Sequence, residues 1–137
     1  ISGSSPSKRV KKIAAEHAQI ELTGWVDDIR YSYALGRIFL APMMIGTGMQ
    51  NKLLEAMAIG VPCITTPLAN NPIGTTENKE ILVASTPDEF KKAIELLFSN
   101  EVKYADIQSN ARAFVEENHH WNKTTERLVE LIESTKY

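Results

Sequence analysis

The stretch IGTGMQNKLLEAMAIGVPCITT, residues 45–66, constrains the fold more than any other part of this chain. Two glycines, Gly46 and Gly48, mark a loop, and a short apolar helix over Asn51–Ile59 follows it. Gly60 is the residue expected just past a helix end, because it reaches the left-handed region at no steric cost. Val61 and Pro62 then lead into CITT, an apolar run too short for a helix and suited to a buried strand. A second such run, RIFLAP, lies just ahead of the loop, and a third, ILVA, lies further on. Short buried strands alternating with helices imply an α/β, Rossmann-like parallel sheet with helices on both faces. In such sheets ligands bind beyond the carboxyl ends of the strands.

The remaining sequence fits that frame. Residues 6–16 carry apolar positions at helical spacing, with Pro6 near the helix start. IELTG is expected as a short strand ending at Gly24, and the opening ISGSS as a strand end running into a loop. WVDDIRYSYALG reads as a loop and short helix, with Asp27 and Asp28 as caps. PLANNPIGTTENKE reads as a long polar loop. Thr86, Pro87 and Glu89 form a capping-box signature for the helix that follows, and two more helices are expected over 102–118 and 122–134.

The chain has 137 residues, enough for one domain, and it starts at Ile1 in what reads as the end of a strand. We therefore expect residues 1–137 to be a single domain, a fragment of a longer protein. Hydrophobic residues make up 43%, enough to fill a core. A formal net charge of −2 lacks the basic excess of a nucleic-acid-binding domain. With Cys63 alone, no internal disulfide can form, and an intracellular setting fits. Cys63 itself sits in a strand pattern and reads as a small apolar residue.

Two residues of the opening stretch carry candidate chemistry. With Asn51 as N-cap, Lys52 occupies the first helical position. A cation there opposes the helix dipole at ~0.3–1 kcal/mol. An anion over the helix start would reverse that sign, and glycines in the loop would let backbone N–H groups approach it. The alternative is a lysine in solvent beside a plain turn. The spacing matches neither the dinucleotide fingerprint nor the P-loop. Glu55 falls beside Ala58, to the side of the face shared by Leu53, Leu54 and Met57. It is either a solvated flank residue or an acceptor for two vicinal hydroxyls, as on a ribose.

NKLLEAMAIGVPCITT closely resembles the second-glutamate segment of retaining GT-B glycosyltransferases of the group 1, family 4 type. LTGWVDD, RIFLAPM and a tryptophan near the end agree in order, so the resemblance spans about residues 20–133. It implies the C-terminal, donor-binding half of a GT-B fold, N-terminally truncated, in a two-domain enzyme. Glu55 would bind the nucleotide ribose. Gly48, Met49, Gln50, Asn51, Lys52 and Leu53 would offer amides to the donor sugar and diphosphate. Gly24, Trp25 and Val26 would meet the base through backbone groups. The family often carries a first glutamate eight positions ahead of the second; Thr47 stands there, so no catalytic residue is assigned.

The resemblance further implies a nucleoside-diphosphate-sugar donor, no metal cofactor and a cytoplasmic enzyme of polysaccharide biosynthesis. An acceptor sugar or lipid-linked glycan would be held by the N-terminal domain. That arrangement allows peripheral membrane contact of the full-length enzyme, no nucleic-acid partner, and a fragment inactive by itself. A GT-B-like sugar-nucleotide epimerase and a non-catalytic nucleotide-sugar-binding module are the alternatives. His119 and His120 read as a solvated helix end, since adjacent helical residues point apart. His17 reads as surface, and Asn122 as an acceptor sequon that matters only in a secreted chain.

Overall fold

A computed structural model describes residues 1–46, 48–119 and 121–134. The chain divides into two compact units, Ile1–Leu35 and Gly36–Tyr137.

In the first unit α1 (Lys8–Glu16) starts after Pro6, with Ser7 as N-cap; the Ser7 side chain accepts from the Val10 N–H at 3.3 Å. The short helix α2 (Ile29–Ala34) is capped by Asp28, which accepts from the Arg30 N–H at 3.0 Å. The Arg30 side chain also bonds the Asp28 carboxylate and holds its pKa below the ordinary value. IELTG does not form the expected strand. It makes only an isolated parallel bridge between Ser2 and Gly24, with Gly3 N–H donating to Gly24 O at 3.0 Å. A ladder needs a partner segment of matching length, and one bridge does not make one.

The second unit holds a parallel sheet of β1 (Phe39–Ala41), β2 (Cys63–Thr65) and β3 (Leu82–Val83), in that order. Phe39 pairs with Cys63, Ala41 with Thr65, and Thr65 with Val83. Cys63, Ile64 and Thr65 are all 0% exposed. Successive strand residues point to opposite faces, so both faces of β2 are covered. Helix α3 (Asn51–Ile59) packs against β1 and β2, and α5 (Pro87–Ser99) against β2. One core cluster joins Ile64, Leu82 and Leu97 to Ile107 of α6 (Glu101–Asn118). Helix α7 (Trp121–Ser134) follows.

The caps confirm local sequence signals. Gly60 ends α3 with φ 84°. Thr86 and Glu89 form the reciprocal capping box of α5. Asn100 caps α6 by accepting from the Lys103 N–H at 2.9 Å. The stretch after β2 differs from the expected loop: α4 (Pro67–Asn70) is a helical turn. Pro67 at its first position is preorganised for a helix. The Asn70 side chain then reaches back to Thr75, donating to its carbonyl at 3.3 Å and accepting from its hydroxyl. Among the described residues, no helix is long and apolar enough to cross a membrane.

Candidate functional site

The loop 42–50 leaves the carboxyl end of β1 and enters α3. Two threonines anchor it to β2. The Thr65 hydroxyl donates to Ala41 O at 2.8 Å, and the Thr66 hydroxyl to Met43 O at 2.7 Å. β-branched residues suit a buried strand, and these hydroxyls also fasten the neighbouring strand end. Gly48 turns the chain with φ 76°, a backbone that side chains rarely adopt.

The N-cap of α3 is Gln50, one residue earlier than the expected Asn51, and no side chain caps the helix. Asn51 and Lys52 therefore take the first and second helical positions. The Gln50 carboxamide turns back to donate to Gly48 O at 3.2 Å, which explains why it does not cap. The Leu53 N–H donates to Gln50 O at 2.9 Å and the Leu53 side chain is 0% exposed. Leu53 thus serves the helix and the core, with its amide already used.

Beside this helix start lies a groove of about 580 Å³, lined by Met49, Asn51, Leu54, Glu55, Ala58, Val115 and His119. Asn51, Leu54, Glu55 and Ala58 recur at helical spacing, so they share one face of α3. Leu54 belongs to that face; the core face is Leu53, Ala56 and Met57. Its lining combines apolar Met49, Leu54, Ala58 and Val115 with polar Asn51, Glu55 and His119. Glu55 is exposed on it.

The structure thus brings Met49, Asn51 and Glu55 together. Lys52 points elsewhere: its Nζ lies 2.9 Å from Met43 Sδ, across the loop. A thioether is a weak acceptor. Gly24, Trp25 and Val26 belong to the first unit, where Trp25 is 72% exposed and Gly24 turns with φ 68°. Thr47 and His120 lie outside the described residues. Among the described residues, no group of three or more His, Cys, Asp or Glu side chains could hold a metal ion.

His119 is the residue that the sequence reading missed. It is not a solvated helix end. It caps α6 with its N–H donating to Val115 O at 2.9 Å, and it forms part of the groove wall. Its ring lies 5.5 Å from that of Phe114, tilted by 49°. The Nε2 atom is buried and has no hydrogen-bond partner. The signal was present: Ile107, Ala111, Val115 and His119 recur every four residues, so His119 extends the face that packs inward.

Comparison with known proteins bears on the family and the fold. Residues 1–100 match the family described as Glycosyl transferases group 1. An uncharacterized glycosyltransferase of Methanocaldococcus jannaschii is 27% identical over 133 residues. That match covers 92% of this chain and 34% of the relative, so the chain spans about a third of that protein. A glycosyltransferase 1 domain-containing protein of Xenopus tropicalis is 30% identical over 88 residues, covering 64% of this chain and 26% of the relative. Among solved structures, Anabaena HepE in complex with UDP aligns with a TM-score of 0.82 at 17% identity, covering 97% of this chain and 40% of that one. Sucrose-phosphate synthase from Thermosynechococcus elongatus aligns with a TM-score of 0.81 at 18% identity, over 96% and 36% of the two chains. At such identities the structural likeness speaks to the fold: these residues fold as the corresponding part of GT-B enzymes.

Proposed function

The chain belongs to the group 1 glycosyl transferases, and from that premise we propose that it binds the nucleoside-diphosphate-sugar donor for a retaining transfer. The sugar leaves the diphosphate oxygen and joins an acceptor oxygen on the same face of its anomeric carbon. The acceptor loses a proton, and the nucleoside diphosphate departs. The acceptor, a sugar or lipid-linked glycan, is held by another domain of the longer enzyme.

One observation carries this reading: Glu55 is exposed on a groove that runs along α3 from Met49 and Asn51 to Ala58. Helix α3 begins from the loop that leaves the carboxyl end of β1, the end of a parallel strand near which α/β sheets bind ligands. Two carboxylate oxygens accept from two vicinal ribose hydroxyls. The helix start beside it has no side-chain cap, so its first N–H groups and the loop amides near Gly48 suit a diphosphate. UDP in the Anabaena HepE structure supports a ligand of this chemistry. Lys52 adds a cation one side chain away from the same helix start. The protein's contribution to catalysis is positioning and stabilisation of the leaving diphosphate.

Glu55→Ala tests the assignment. A hydrogen bond to a charged group is worth ~1.5–3 kcal/mol, so affinity for the best-bound of UDP, GDP and ADP should fall roughly ten- to a hundredfold by calorimetry. Alanine is a good helix former, so α3 should survive the change, which circular dichroism checks. Equal affinity in the two proteins would return Glu55 to a solvated flank.

A further inference from the structure

The groove has a second polar wall that the glycosyltransferase reading leaves without a task. We propose that His119 is a ligand-binding residue of the Glu55 groove, its ring nitrogen taking a hydroxyl of the polyhydroxylated ring that Glu55 grips from the other side. This rests on the donor-binding reading of the groove and deepens it, by adding a contact from α6 to those from α3.

Three observations carry the inference. First, α6 contributes two residues to the groove, Val115 and His119, and Val115 is apolar. His119 is therefore the polar side chain that α6 places on this wall. Second, its Nε2 is buried and has no partner. Buried polar atoms are almost always answered, and one left open calls for an explanation such as a ligand. The ring can turn about Cβ–Cγ, a broad torsion, and a half-turn exchanges Nε2 with a ring carbon. A hydroxyl in the groove would reward that turn.

Third, the lining has the two-sided chemistry of a sugar ring. Leu54, Ala58 and Val115 offer apolar surface for its C–H face. Glu55, Asn51 and His119 offer an acceptor, an amide and an imidazole for its hydroxyl edge. The volume of about 580 Å³ lies within the usual range for small-molecule sites. The backbone N–H bond to Val115 O and the contact with Phe114 keep the His119 backbone and ring beside the groove, and the turn about Cβ–Cγ is left to the ligand.

Titration of the chain with UDP, GDP and ADP by calorimetry tests this, using His119→Phe, His119→Gln and Glu55→Ala. His119→Phe keeps the ring and removes the nitrogens, so the best-bound nucleotide should bind about tenfold more weakly. His119→Gln restores a polar group and should bind within about threefold of the parent. In the parent chain, the ring nitrogens of His119 should shift in NMR spectra on addition of that nucleotide. This measurement stands even if His119→Phe fails to fold. A weakened Glu55→Ala beside an unaffected His119→Phe, or a silent imidazole, overturns the His119 assignment and leaves the donor reading intact. If Glu55→Ala binds as the parent does, or if no nucleotide binds the parent, the donor reading itself falls.

Discussion

Lys52 and Glu55 are three residues apart on one helix, yet the structure gives them different surroundings. Glu55 faces the groove, while Lys52 lies across loop 42–50 against Met43 Sδ. A weakly held ammonium is easily recruited by a better partner, and a diphosphate at the helix start is one. Lys52→Gln should therefore weaken nucleoside diphosphate binding, more so at low salt where the attraction is less screened. It should leave the unliganded chain as stable or slightly more stable, because it removes a cation from the first turn. The nucleoside without phosphates should bind both proteins alike. A lower melting temperature with unaltered diphosphate affinity would make Lys52 a structural residue and remove the phosphate cradle from the loop.

At the scale of elements, the segment between α4 and β3 shows how a polar stretch is made rigid. Glu80 is 4% exposed, and its carboxylate accepts from the Thr76 N–H at 2.6 Å and pairs with Lys79 Nζ at 2.9 Å. Burial pushes its pKa up; the bonds from Lys79 and Thr76 outweigh that and hold it below the ordinary 4.5. A carboxyl whose pKa is lowered by folding adds stability above its unfolded pKa, and loses it as pH falls through the folded value. Glu80→Gln should cost about 1–3 kcal/mol near pH 7, where a charged acceptor is lost. The gap between the two proteins should close as the pH falls through the lowered pKa of the folded carboxyl, where the wild-type group takes up its proton. Melting curves from pH 3 to pH 7 check this, and a gap independent of pH would show that the charge of Glu80 contributes nothing.

At the scale of the whole molecule, the chain aligns with about a third of the Methanocaldococcus jannaschii relative and 40% of the Anabaena HepE chain. In the proposed assignment the groove binds the donor, and the acceptor is held by another domain. The purified 137-residue chain should therefore bind a nucleoside diphosphate and show no sugar transfer. Incubation with a labelled UDP-sugar and candidate glycan acceptors, followed by product separation, checks both halves. Labelled glycan from this chain alone would mean that the acceptor site is already present.

Local chemistry was legible in the sequence wherever neighbours along the chain decide it. The bounds of α3, the Gly60 stop, the Thr86–Glu89 capping box and the Asp28 cap depend on residues within one turn of each other. The parallel sheet followed from short apolar runs separated by helices, and the segment around Glu55 was enough to show the family resemblance. The tertiary structure decided what depends on distant partners. IELTG carries a strand pattern but makes a single bridge, because pairing is a property of two segments. Asn70 and Thr75 fold part of a polar loop into α4 through a buried contact that composition cannot express. Helical spacing marked one face of α3, but only the packing of α6 beside it made that face a groove. The same packing turned His119 from an expected surface residue into a wall of the site, since burial is set by what the fold brings opposite a side chain.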